Sequence, residues 1–383
     1  MSAAPATISI SDARAQSLVA AYERAGYARI TPAILQPADA FLDLSGEDIR
    51  ARMYLTTDRE GREYCLRPDF TIPVAQTYLA SPAAGRAQGF CYLGPVFRDR
   101  GGAPSEIVQA GIESFGRTDI AAADAEILAL GIEAAAHYGI TAPSIRVGDI
   151  GVFSALVEAL DLTPAWKRRL VKDFNRKADL AHDLERLTLG AANGGKADYQ
   201  GVLAALAGSD PKGARALVAD LLSIAGITTV GGRTVGEIAD RFLEQAALGA
   251  TPSLPHGTRS LIERCLAISG DPDEAAAAIR KIADEAGISL SGALDRLESR
   301  TGFLAARGID VRHIRFEGAF GRGMDYYTGF VFELHDPKAR VSGPLIAGGR
   351  YDGMLTRLGA ATPMPAVGFS AWIERLAACG ADR

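Results

Sequence analysis

Residues 91–98, Cys91-Tyr92-Leu93-Gly94-Pro95-Val96-Phe97-Arg98, and residues 107–115, Ile107-Val108-Gln109-Ala110-Gly111-Ile112-Glu113-Ser114-Phe115, are two strand-like runs. Between them lies a polar, glycine-containing link, Asp99-Arg100-Gly101-Gly102-Ala103-Pro104-Ser105-Glu106. Two such runs joined by a turn-forming link predict a β-hairpin over 90–115.

Moving outward, strands are predicted around Met53–Thr56 and Glu63–Arg67, with Asp58–Gly61 as the turn between them. Before them comes an extended, proline-bearing stretch from Ile30 to Pro37. A helix is predicted over 10–27, with Ser11-Asp12 as its cap and Gly26 as its stop. Downstream, the alanine-rich stretch 122–138 reads as a helix. Near the end of the sequence, strands are predicted at 326–334 and 344–348, then a helix from Phe369 to Cys379. Residues 155–306 differ from both flanks: they are rich in Ala, Leu, Arg and Glu and hold no sustained period-two pattern. Capping signals such as Thr163-Pro164 and Ser209-Asp210-Pro211 punctuate them. The organisation expected is an α+β core in two parts, 1–154 and 307–383, interrupted by an all-helical insertion over 155–306.

The chain has 383 residues, 48% hydrophobic and 23% charged, as an ordinary globular protein does. A net charge of −5 carries no global pull toward nucleic acid. The four cysteines, Cys65, Cys91, Cys265 and Cys379, form no CxxC pair, so neither a metal nor a redox site is expected. No secretory signal and no apolar run of about 20 residues is present, and a cytoplasmic protein is expected. The basic run Lys167-Arg168-Arg169 to Arg176-Lys177 is interleaved with Asp173, Asp179 and Asp183, and reads as a solvated helix face.

Three further stretches stand in order with the hairpin: Leu66-Arg67-Pro68-Asp69-Phe70-Thr71, then Arg322-Gly323-Met324-Asp325-Tyr326-Tyr327-Thr328-Gly329, then Gly348-Gly349-Arg350-Tyr351-Asp352-Gly353 with Ala366-Val367-Gly368-Phe369 and Glu374-Arg375-Leu376. Together the set resembles the core of histidyl-tRNA synthetase, a class II aminoacyl-tRNA synthetase. The resemblance implies an antiparallel six-stranded sheet flanked by helices, in a chain that pairs with itself as a dimer through residues of roughly 10–55.

The same resemblance implies a pocket for free L-histidine. Asp69, Thr71 and Gln109 match positions that hold the α-amino group, and Glu113 and Tyr327 match those that take the imidazole from two sides. Arg322 matches the arginine facing the carboxylate, while Tyr326 and Tyr351 line the pocket. Arg98 and Arg375 match residues that grip ATP in the synthetase, and here read as nucleotide-site remnants. Asp69 stands where the synthetase commonly has glutamate, one methylene longer. Arg100 stands where an acid is usual, the loop Gly101–Ser105 is short, and no anticodon-binding domain is recognised after Arg375.

These departures resemble a second branch of the family, the regulatory subunits of short-form ATP phosphoribosyltransferase. That branch implies no catalytic residues, no cofactor and no tRNA. It implies assembly with the catalytic subunit as a hetero-octamer, four plus four, with activation and histidine feedback inhibition in histidine biosynthesis. The alternative is a histidine-activating ligase, a compact synthetase-like enzyme, which the retained Arg98, Arg322 and Arg375 support. A synthetase-like accessory module is a third reading.

Overall fold

The computed structural model describes residues 12–45, 49–189 and 256–380, with short pieces at 213, 216–218, 220, 229–230 and 233–234. The chain divides into two compact units: Met1–Ala155 together with Cys265–Arg383, and Leu156–Arg264. Its strands are β1 (Ala28–Arg29), β2 (Leu35–Pro37), β3 (Leu55–Thr57), β4 (Glu63–Leu66), β5 (Gln88–Phe97), β6 (Glu106–Phe115) and β7 (Ser144–Asp149). They continue as β8 (Thr229–Val230), β9 (Arg233–Thr234), β10 (Ser269–Gly270), β11 (Ile314–Glu317), β12 (Phe330–His335), β13 (Ile346–Arg350) and β14 (Ala366–Trp372).

A large sheet organises the first unit, in the order β1-β5-β6-β14-β13-β12-β7-β11-β10. The six strands from β5 to β7 are antiparallel throughout, as the family resemblance implies. At the edges, β1 runs parallel to β5, β11 runs parallel to β7, and β10 adds an antiparallel pair. The expected hairpin is β5–β6, in register from Gln88 with Phe115 to Phe97 with Glu106. A separate small sheet, β2-β4-β3, holds the predicted turn, where Asp58 accepts from Gly61 N.

Helix α1 (Ala13–Arg24) is capped as read: the Asp12 side chain accepts from Ala15 N at 2.9 Å. Gly26, at φ +95°, ends it in the left-handed region that glycine enters without a Cβ penalty. The helices α2 (Thr71–Leu79) and α3 (Ile120–His137) follow, then α4 (Pro272–Glu285), α5 (Ser291–Ala306) and α6 (Ile373–Gly380). Helix α3 lies across β12, β13 and β14, with α5 packed on it. Phe332 and Phe369 fill that side of the sheet, and Tyr22 of α1 meets Phe369 edge-on.

Three expectations need adjusting. The stretch beginning at Phe369 is not helical: Ala366–Trp372 is the central strand β14, and helix starts only at Ile373. A strand buried on both faces presents a continuous apolar run, which periodicity does not separate from a buried helix. The interruption of the core is also shorter than 155–306, because residues from Cys265 onward belong to the first unit. Strand β10 pairs with β11, α5 packs on α3, and Arg300 of α5 pairs with Asp149 at 2.5 Å and Asp124 of α3 at 3.3 Å, all three buried. Nor is the stretch wholly helical, since β8 and β9 pair with each other and β10 joins the large sheet.

Within the second unit, Pro164 opens the helix Pro164–Asp173 directly after Thr163, as read. Ser209-Asp210-Pro211 lies outside the described residues. Arg169, in the basic run, pairs with Asp173 at 2.6 Å and Asp183 at 2.7 Å. Among the described residues no helix is long and apolar enough to cross a membrane, and no group of His, Cys, Asp or Glu is placed to hold a metal ion. The four cysteines are buried and none is in a disulfide.

Candidate functional site

Side chains alternate across a strand, so residues two apart share a face. On β6 this sets Gln109, Gly111 and Glu113 on one face. Their partners on β14 are Trp372, Ser370 and Gly368. The row through Gly111 continues to Ala347 on β13 and Glu333 on β12. All of these lie on the face opposite Phe369 and α3. The segment 322–329 and the start of α2 cover this face, and between them is a small cavity. It is lined by Asp69, Thr71, Arg98, Gln109, Arg322, Tyr326, Tyr327 and Tyr351, with Gly368, Ser370 and Trp372 as its floor. Its volume is about 10 Å³, room for about one water, so an amino acid enters only if the lining side chains part.

Glu113 is buried directly behind this lining. Its Oε1 accepts from the Thr71 hydroxyl at 2.8 Å, and its Oε2 accepts from the Tyr351 hydroxyl in a short hydrogen bond. Tyr92, stacked on Phe70, approaches the same carboxyl at 3.5 Å. Burial pushes the Glu113 carboxyl up to about 8, against the opposing pull of the Tyr351 and Thr71 donors. Gly368 makes the arrangement possible: a Cβ there would overlap Glu113 Oε2.

Asp69 is equally buried. Its Oδ1 accepts from Ile72 N at 3.3 Å, while Oδ2 has no hydrogen-bond partner. Burial raises its pKa, and the Arg98 guanidinium opposes that shift. Both side-chain polar atoms of the buried Gln109 also lack partners. Unsatisfied polar atoms in a protein interior cost about 1–3 kcal/mol each. Asp69 and Gln109, which carry three such atoms, line the same cavity. Arg322 donates to the Tyr327 hydroxyl at 2.8 Å and faces Glu333 at 3.5 Å. Burial works against its charge, but Tyr327 and Glu333 outweigh that and hold its pKa above the ordinary value.

A wider cleft of about 230 Å³ adjoins the cavity. It is rich in guanidinium groups, from Arg52, Arg98, Arg100, Arg322 and Arg375, with Glu333 as the acid in its lining. Arg98 donates to the Pro68 carbonyl at 2.7 Å and Arg375 to the Pro344 carbonyl at 2.6 Å. Burial lowers the pKa of both, and each is lowered further by neighbouring arginines.

Comparison with known proteins fits this geometry. The chain matches the histidyl-tRNA synthetase family over residues 3–230 and 213–376. It is 39% identical over 351 residues to the ATP phosphoribosyltransferase regulatory subunits of Brucella canis and Brucella ovis, covering 91% of this chain and 92% of each relative. The chain belongs to the histidyl-tRNA synthetase-like family, in its ATP phosphoribosyltransferase regulatory-subunit branch. Among solved structures, it resembles a regulatory subunit/histidyl-tRNA synthetase from Bacillus halodurans, with TM-score 0.62, 21% identity and coverage of 96% of this chain and 78% of that one. It also resembles a histidine–tRNA ligase subunit from Alicyclobacillus acidocaldarius, with TM-score 0.55, 25% identity and coverage of 99% and 96%. The first of these likenesses, at its low identity, speaks for the fold alone.

Within this family member, Asp69, Thr71, Gln109, Arg322, Tyr326 and Tyr327 meet at one cavity, with Arg98 and Tyr351. Glu113 contacts the cavity through Thr71 and Tyr351, and Arg375 lies in the neighbouring cleft. Sequence reading quoted Gly368 without giving it a role, and passed over Ser370 and Trp372 because it placed that part of β14 in a helix. The register of β14 against β6 is the signal that recovers them: Trp372 stands opposite Gln109, and Gly368 opposite Glu113.

Proposed function

We propose that this chain is a non-catalytic regulatory subunit of ATP phosphoribosyltransferase that binds free histidine and passes its occupancy to the catalytic subunit. The observation that carries the reading is the set of unpaired, buried polar ends of Asp69 and Gln109 within one cavity bordered by Arg322 and Tyr327. Histidine presents an ammonium, a carboxylate and two distinct ring nitrogens. Asp69, Thr71 and Gln109 take the ammonium, where a carboxylate forms a charge-assisted bond. Arg322 takes the carboxylate. Glu113 and Tyr327 take the imidazole from two sides, and Tyr326 closes the wall.

The partner is the short-form catalytic subunit, in a hetero-octamer of four plus four. Self-association as a dimer uses the region around β2 and β3, where Ile34, Leu35, Tyr54 and Leu55 are exposed. Cytoplasmic histidine biosynthesis is the setting, without tRNA. Feedback requires that histidine prefer one state of the assembly, with a coupling free energy of about 1–3 kcal/mol. Histidine supplies it by bridging Tyr327 on the 322–329 segment to Glu113 on β6. Arg98 and Arg375 are nucleotide-site remnants, engaged with backbone carbonyls, which disfavours the ligase alternative.

Titration calorimetry with L-histidine and co-expression with the catalytic subunit test the reading. Asp69→Asn is expected to weaken histidine binding at least tenfold, about 1.4 kcal/mol. Co-expression is expected to yield one large complex whose activity histidine suppresses. A flat titration, or no complex, overturns the reading.

A further inference from the structure

The cavity and the arginine cleft share four lining residues: Arg98, Arg322, Met324 and Trp372. Three of them are long, unbranched chains that turn through several torsions. Trp372 is different. It stands at the end of a central strand, paired in register with Gln109, and is 7% exposed. Its indole is therefore the fixed part of the wall between the two spaces.

The indole also governs Arg375. That guanidinium is held 5.0 Å from the indole centroid, a cation–π distance, while it donates to the Pro344 carbonyl at 2.6 Å. A cation stacked on an aromatic face and bonded to a carbonyl has little reason to reach into the cavity. Of the acidic side chains that border the two spaces, Asp69 acts on Arg98, and Glu333 lies 3.5 Å from Arg322 while also acting on Arg375.

We propose that Trp372 is a specificity-determining wall that lets the site take a free amino acid while denying a nucleoside triphosphate passage between the arginine cleft and the amino-acid cavity. The inference rests on the histidine reading above. A ligand spanning both spaces must carry its phosphates among the arginines and lay its reactive end beside the amino-acid carboxylate at Arg322. The indole stands across that line and retains Arg375 on its far side. Removing the ring joins the two spaces and releases Arg375.

The test is calorimetry of the full-length protein with L-histidine and, separately, with ATP, for the native chain and for Trp372→Phe and Trp372→Ala. The native chain and Trp372→Phe are expected to show no ATP binding up to millimolar concentration. Trp372→Ala is expected to gain ATP binding with an affinity at least tenfold tighter than that limit. A loss of stability alone would not create a nucleotide site, so the gain separates a wall from a mere packing role. ATP binding by the native chain overturns the proposal. So does a folded Trp372→Ala protein that refuses ATP. Should the alanine variant fail to fold, Trp372→Leu, which keeps part of the apolar volume, is expected to show a smaller gain, and its failure to gain any counts against the wall. Histidine binding by the native chain is read in the same experiment, so failure of the underlying reading shows separately.

Discussion

At the scale of single residues, Glu113 governs how the site responds to pH. Its folded-state pKa is raised from the ordinary glutamate value of 4.5 to about 8, chiefly by burial. The folded protein therefore holds this proton more tightly than the unfolded chain does. The contribution to stability is complete below about pH 4.5 and is lost as pH rises toward 8, with a slope of up to about 1.4 kcal/mol per pH unit where Glu113 alone titrates. Glu113→Gln, isosteric and never charged, is expected to flatten thermal stability against pH over that window; an unchanged slope would place the effect elsewhere. Gln109 and Glu113 were legible through the family resemblance alone; the strand then sets both on one face, since positions four apart share it. Trp372 was not, since Ala366–Trp372 is apolar on both faces and shows no alternation to read. Its position against Gln109 now makes it a reporter. With Trp166 the only other tryptophan, Trp166→Phe leaves a protein whose emission is expected to shift when L-histidine is added.

At the scale of elements, one buried ion-pair cluster ties α5 to the core unit, beside the apolar packing of Leu294, Leu297 and Leu304. Arg300 meets Asp149, at the end of β7, and Asp124 on α3, while Arg350 of β13 donates to Asp124 at 2.8 and 2.6 Å. Arg350 immediately precedes Tyr351, which bonds Glu113, so the cluster anchors β13 where it contributes to the site. Breaking a buried pair by removing one partner costs about 3–5 kcal/mol, because the remaining charges are left uncompensated. Arg300→Met is expected to destabilise the protein by that amount in urea unfolding, and a change under about 1 kcal/mol would show that α5 is held by apolar packing alone. Composition by itself assigned α5 to the insertion, because a helix rich in Ala, Leu, Arg and Glu looks alike in either place. What separates them is three charges brought together from residues 124, 149 and 300, a contact that no local pattern encodes. The β5–β6 hairpin was legible for the opposite reason: its partner strands are adjacent in sequence, and Gly101 and Gly102 between them both have positive φ.

At the scale of the whole molecule, the proposed assembly of four plus four requires surfaces between chains, and a dimer of this chain would be the natural half of that unit. The small sheet β2-β4-β3 offers the surface. Leu35 stands opposite Leu66, and Leu66 N donates to the Tyr54 carbonyl, which makes a cross-strand row of apolar side chains. Leu35 is 50% exposed and Tyr54 37%, and nearby Leu55 is 51% exposed. Large apolar side chains clustered at the surface mark association sites more often than isolated ones do. The resemblance points to this region for the proposed dimer, but not to the side chains that would carry it, because exposure depends on strand pairing. Leu35→Glu combined with Tyr54→Glu places two charges per chain on that row without touching the cavity. The variant is expected to sediment as a monomer and to fail to assemble with the catalytic subunit, while its histidine titration matches the native one. If it still sediments as a dimer, the surface lies elsewhere; if histidine binding is lost along with assembly, the cavity itself depends on the neighbouring chain.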